Sequence, residues 1–399
     1  MERSDISRLG DGLETKRKTA LQGSLQNAFY AMGLALMGGW LLYIGRGIIV
    51  PFVLAAIVAY VIVGLAHFLS RVPWIGAHVP SWLRNLASML AIGLVIASLV
   101  SLIVTNANAV AAVIPRYQDQ LLSLIQTIAI LFGVQEEQTW TTLRDQILAQ
   151  IEFRPLIQTA LSSMTQVLAV TAVVFIYCGF LLAERATFGA KLDRVSRDPE
   201  TTADINAILS EVNERIGTYL ALKTFVNIVL GLISWIMMSL VGVEFAAFWA
   251  VLIGLLNYIP YLGSFVGVFF PVVLSAMQFG DIGAVLLVLI VLSAAQIFVG
   301  SILEPYVMGN SLNLSPTVIL LGLAIWSALW GVAGAILSVP IMASLVIVLA
   351  SFEGTRPMAV MLSRNGQVGG DAIHRSEGYQ RNVAATRSQP SEHRTADAG

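Results

Sequence analysis

From residue 318 to residue 349 the chain runs without a single charge, and the run is too long for one bilayer crossing. A spanning helix needs about 20 apolar residues. The stretch is also interrupted, by Trp330-Gly331-Val332-Ala333-Gly334 and again at Pro340. It therefore reads as two segments or as a re-entrant hairpin. Broken backbone at membrane depth survives only where it is buried in protein or lines a watery cavity. Such breaks mark substrate pathways more often than anchors.

The rest of the chain fits the same solvent. Hydrophobic residues make up 57% and charged residues 12%, with a mean hydropathy of +0.78. This is far from a soluble domain, and the expected fold is all-α and polytopic in a lipid bilayer. A net charge of -1 excludes a basic nucleic-acid footprint. The lone cysteine, Cys178, lies inside an apolar run and cannot form an intrachain disulfide. The first residues are polar and contain Lys16-Arg17-Lys18, with no compact apolar core and cleavage site behind them. We read 1–27 as a retained cytoplasmic arm.

Apolar runs at 28–44, 48–66, 86–105 and 164–182 are each near spanning length, and 225–241, 245–277 and 282–303 follow before the final run. That gives about eight spans. The run 245–277 is itself broken, at Asn257-Tyr258-Ile259-Pro260-Tyr261-Leu262-Gly263, and either crosses once or dips in and returns. Arginine and lysine set the orientation. The arm, the loop with Arg71 and Arg84, and the segment with Arg185, Lys191, Arg194, Arg197 and Arg215 should be inside. The segment 106–163 has Arg116, Arg144 and Arg154 outnumbered by Asp119, Glu136, Glu137, Asp145 and Glu152, and should be outside. Both termini are then cytoplasmic.

Apolar residues at helical spacing in 106–163 (Leu121, Leu122, Ile125, Ile128, then Leu143, Ile147, Leu148, Ile151) predict amphipathic helices on the membrane or on a neighbouring subunit. The domain reading is an N-terminal bundle over 28–183, a cytoplasmic linker helix over 184–218 and a transport core over 219–352. A cytoplasmic tail follows over 353–399, polar and mostly disordered from about Gly366.

The two broken runs resemble each other: Gly254, Gly263, Gly267 and Pro271 in the first, Gly322, Gly331, Gly334 and Pro340 in the second. Paired Gly/Pro-interrupted segments point to an internally repeated transporter core, with two unrelated kinks as the alternative. Where a helix unwinds, free carbonyls can hold cations and free N–H groups anions or hydroxyls. Asn257 beside the first break adds an amide. Between Ile282 and Met308, Gln296 and Glu304 are the only strongly polar side chains, eight apart and on roughly one helix face. A carboxylate at a membrane margin is a functional candidate by default. Lys223 and Asn227, at i and i+4, are possible polar partners; for Lys223, snorkelling to the interface is the favoured reading over pairing with Glu304.

The ordered motifs Tyr258-Ile259-Pro260-Tyr261-Leu262-Gly263, Leu303-Glu304-Pro305-Tyr306-Val307-Met308-Gly309, Leu314-Ser315-Pro316, Trp330-Gly331-Val332-Ala333-Gly334 and Val339-Pro340 resemble the signature of the autoinducer-2 exporter (AI-2E) family of bacterial permeases. The resemblance implies a multi-pass inner-membrane protein that exports autoinducer-2 or another small polar solute, assembled as a homo-oligomer. Some members resemble sodium/proton antiporters, so proton or sodium coupling is a second expectation. A non-transporting membrane scaffold is a third. Enzyme readings are poor: there is no Gly-Lys-Ser/Thr loop and no His-Glu-x-x-His, His67, His78, His374 and His393 are scattered, and no cofactor or metal is expected. The candidate pathway residues are Asn257, Tyr258, Pro260, Tyr261, Gly263, Gln296, Glu304, Pro305, Gly309, Gly331, Gly334 and Pro340.

Overall fold

In the computed structural model, residues 26, 29–30, 32–71, 79–131, 153–195, 199–309 and 312–368 are described, and among them there is no strand beyond one isolated bridge between Leu314 and Ser363. The helices are α1 (Met32–Ile44), α2 (Arg46–Ser70), α3 (Ser81–Leu131), α4 (Phe153–Val195), α5 (Pro199–Val241), α6 (Ala246–Leu256), α7 (Leu262–Phe279), α8 (Ile282–Phe298), α9 (Glu304–Met308), α10 (Pro316–Ala350) and α11 (Arg356–Leu362). Seven of them, with α8 to α9 taken as one, are long and apolar enough to cross a membrane. The chain is an all-α, multi-pass membrane protein.

Two expectations about the connecting segments change. The amphipathic residues 121–129 do not form a separate helix: α3 runs unbroken for 51 residues, about 76 Å, and carries them well past the bilayer. Residues 143–151 lie outside the described residues. The linker over 184–218 is likewise not a helix of its own. It is the end of α4 and the start of α5, each 43 residues long, stiffened on its surface by ion pairs Lys191–Glu184 and Arg215–Glu211. The helices run on through Pro115 in α3, Gly189 in α4 and Gly217 in α5, single breakers whose cost the long apolar period outweighs. The stretch after 353 also holds more structure than its composition suggests, in α11; residues 369–399 lie outside the described residues.

α2, α3 and α4 bury Ala55, Ile62, Val174 and Cys178 between them. α5 joins this bundle to the rest. The Tyr60 hydroxyl on α2 donates to Asn213 on α5, which places the Arg71 end of α2 beside the Arg215 end of α5. We call this the basic end.

The remainder is built on two helical hairpins that enter from opposite ends. In the first, α6 runs antiparallel to α5: a Cβ on Gly254 would stand 3.0 Å from the Asn227 carbonyl, and one on Gly231 3.2 Å from that of Ala250. α7 then runs back along α6, with Gly263 against the Leu256 carbonyl and Gly267 against Ile253. At the hairpin's base the Gln278 side chain accepts from Glu244 N–H at 2.8 Å and donates to the Gly242 carbonyl at 2.8 Å. Residues 245–279 therefore enter and leave at one end, and the run dips in and returns.

The second hairpin is α10. Its 35 residues look like one helix, yet Gly331 sits at φ 62°, ψ -139° in its middle. Gly322 and Met342, twenty residues apart, would be about 30 Å apart in a straight helix. Here a Cβ on Gly322 would fall 2.6 Å from Met342 Cγ, and Gly334 lies against the Trp326 carbonyl. The arms 316–330 and 332–350 are antiparallel, and both close at the basic end, where Leu314, Val318, Val346 and Ala350 pack with Ile216 and Leu220 of α5 and Ala359 of α11. Between the hairpins, α8 begins on an Asp281 cap that accepts from Ala284 N–H at 2.9 Å and crosses to the basic end.

Candidate solute site

Along α5, Tyr219, Lys223 and Asn227 recur every four residues and so form one stripe, all buried. The tip of the first hairpin abuts that stripe. Asn257, the last residue before the chain leaves α6, donates from Nδ2 to Asn227 Oδ1 at 2.8 Å. One residue on, the Tyr258 hydroxyl lies 2.6 Å from Thr224 Oγ1. Thr224 spends its own proton on the Leu220 carbonyl at 2.6 Å, so at Tyr258 it is the acceptor.

The third side of the cluster comes from α9. Lys223 Nζ donates to Glu304 Oε1 at 2.6 Å, with 5% of the lysine side chain and 29% of the glutamate side chain exposed. This corrects the reading of Lys223 as snorkelling. A lysine at this depth on α5 cannot reach water past the hairpin tip, and a buried ammonium without a counter-charge is far more costly than a paired one. Glu304 is delivered by a turn of π-helix, Val299–Leu303. Its physical cause is Pro305, which donates no N–H and whose ring crowds the carbonyl four residues back. The wider turn lets Glu304 N–H bond back to Val299 O. Eight residues of α-helix would leave Gln296 and Glu304 about 80° apart around the axis; the extra residue of a π turn removes most of that offset.

Gln296 nevertheless lies a step away from the ion pair, its Nε2 against the backbone of Gly267 on α7, buried and without a hydrogen bond. Asn227 Nδ2 is a second buried donor without one; it faces the Tyr258 hydroxyl without reaching bonding geometry. Among the remaining candidates, Pro260, Tyr261 and Gly263 form the hairpin tip. Tyr261 holds φ 62° and points outward at 60% exposure. Gly309, at φ 50°, ends α9. Gly331 does not join this cluster: Trp330, next to it, donates from Nε1 to the Leu42 carbonyl on α1 at 3.1 Å, and Gly334 lies against Trp326; Val339 and Met342, flanking Pro340, pack in the core that holds Tyr219. The two breaks thus sit at separate places on the molecule. Tyr219 and Thr224 were missed in the sequence, though Tyr219 shares the four-residue stripe that singles out Lys223 and Asn227. Among the described residues no group of His, Cys, Asp and Glu could hold a metal ion.

The sequence profile of the AI-2E family transporters matches residues 30–354, which takes in the bundle, both hairpins and the cluster. The chain belongs to the AI-2E transporter family. Its relatives include a putative transport protein of Haemophilus influenzae, 30% identical over 323 residues, covering 79% of this chain and 90% of the relative. A putative transport protein of Borreliella burgdorferi is 31% identical over 254 residues, 62% of this chain and 67% of the relative. The AI-2 transport protein TqsA of Escherichia coli is 28% identical over 319 residues, covering 79% and 89%. As an AI-2E family transporter the chain is a multi-pass protein of the bacterial inner membrane.

Proposed function

We propose that this AI-2E family protein is a secondary-active permease that exports a small polar solute, with the Lys223–Glu304–Asn257 cluster as its solute site and the two hairpins as its moving parts. The observation that carries the reading is the polar cluster itself. A charged pair and an amide pair are sequestered at the tip of a re-entrant hairpin, where intramembrane ionisable residues mark transport pathways. The relative named as an AI-2 transport protein makes autoinducer-2 the first solute to try. A sodium or proton antiporter is the second reading, favoured by Glu304, a carboxylate both paired and only partly enclosed by the fold.

The test is flux in proteoliposomes. Labelled autoinducer-2 is added with and without an imposed proton gradient, beside protein-free vesicles. Gradient-dependent entry supports the permease. A response of an internal pH dye to added sodium, without solute entry, supports the antiporter. Silence in both assays removes autoinducer-2 and sodium as the transported species and raises the scaffold reading.

A further inference from the structure

We infer that the cluster is an anion site, that Glu304 occupies the anion's place when no solute is bound, and that the solute is a small organic acid bearing a carboxylate beside hydroxyl groups. This rests on the permease reading and narrows its substrate class.

The argument starts from the unequal setting of the two charges. Lys223 is fixed: it sits mid-way along α5, with Val226 and Leu230 packed just beyond it in the main core. Glu304 is less enclosed, with 29% of its side chain exposed. It begins a five-residue helix none of whose residues is buried, between a π turn and Gly309 at a positive φ. A lysine built into the wall and a carboxylate swung in from the edge are what a site with a removable anion requires. Breaking the pair permanently would leave an uncompensated buried charge, so Glu304 can leave only when another anion arrives.

Two donors with unfilled capacity mark this position. The ammonium has three N–H bonds and makes one hydrogen bond, to Glu304. Asn227 Nδ2 is buried and unbonded one turn along the same face. Asn227 Oδ1 accepts from Asn257 and Thr224 Oγ1 from Tyr258. A neutral polyol in Glu304's place would leave the buried ammonium without a counter-charge, whereas a carboxylate replaces it and lets a neighbouring hydroxyl use the remaining polar groups. Tyr219, beside Glu304, and Tyr258, beside Tyr219, bring hydroxyls and no charge at neutral pH. The binding step is a ligand exchange on Lys223 and makes or breaks no covalent bond.

Thermal unfolding of the purified protein in detergent tests the inference without any flux. Glu304→Ala should lower the melting temperature, and millimolar glycolate or lactate should restore most of the loss. Ethylene glycol and glycerol should restore none. The double variant Lys223→Met/Glu304→Gln, an uncharged pair of matched shape, should fold and show no response to the acids. Wild type should need at least tenfold more acid than Glu304→Ala, because its own carboxylate competes; this comparison by calorimetry serves if the single variant is too unstable to melt cleanly. Rescue by the neutral alcohols to the same degree, a response that persists in the double variant, or no acid binding to either protein would each overturn the proposal. The permease reading fails separately: acid binding without flux in proteoliposomes would sink transport and leave the anion site standing.

Discussion

Asn227 and Asn257 join α5 to the hairpin tip by one amide–amide hydrogen bond in a place that water does not reach. An intramolecular hydrogen bond nets about 1 kcal/mol, but orphaning one buried partner costs about 1–3 kcal/mol. Asn257→Leu should therefore destabilise by about 1–3 kcal/mol, since it strands Asn227 Oδ1. Adding Asn227→Leu should recover part of that loss, because both polar groups are then gone. Melting curves of the two single variants and the double would show it, and strictly additive losses would count against the bond. If the cluster is the solute site as proposed, flux should be lost in either case. Lys223 follows the same logic at higher stakes. Its partner was ambiguous in the sequence because helical spacing gives only the face a residue shares, and the carboxylate that meets it is 81 positions away.

At the scale of elements, each hairpin carries residues with left-handed backbone where it enters and where it turns. Gly242 and Phe245 open the first, Tyr261 turns it and Gly280 leaves it; Gly309 and Asn313 precede the second and Gly331 turns it. Non-glycine residues in this region cost of the order of 1–3 kcal/mol each, and each hairpin's base is clipped in place. Gln278 clips the first. The second is held by the strap after α11, where Leu362 O accepts from Ser315 N–H at 3.1 Å and Asn313 O from Arg364 N–H at 3.0 Å. The fold-back of α10 is directly testable. With Cys178→Ser as background, Gly322→Cys and Met342→Cys should oxidise to a disulfide found by peptide mass spectrometry. The Cβ positions stand 3.9 Å apart, inside the usual range for such a bond; a straight helix would give no cross-link. The broken runs were visible in the sequence because glycine, proline and the absence of charge fall together there. Whether each break made a kink or a hairpin was not visible, because that depends on which distant carbonyl each glycine meets: Leu256 for Gly263 and Trp326 for Gly334. The separate helix expected over 121–129 failed for a related reason. Its amphipathic period is the period of the long helix that contains it.

For the molecule as a whole, the two hairpins share α5 and enter from opposite ends. The first lies along Asn227 to Val241 and the second along Ile216 to Leu220. A solute bound at Lys223 is screened from one end by the full depth of α6 and α7, and from the basic end by Glu304 and α9. Movement of the first hairpin or of α9 would open opposite faces of one site, which is the geometry alternating access requires. The arrangement fixes the relative sidedness of two loops. In the Cys178→Ser background, Asp281→Cys, at the base of the first hairpin, and Ser351→Cys, at the base of the second, should react with a membrane-impermeant thiol reagent from opposite sides of intact cells. The arginine and lysine distribution places Asp281 outside and Ser351 inside. Labelling of both from the same side would mean that α10 crosses once and that the inverted pair does not exist. Opposite-sided labelling with Ser351→Cys outside would keep the hairpins and reverse the orientation, and with it the direction in which Glu304 gives way to solute.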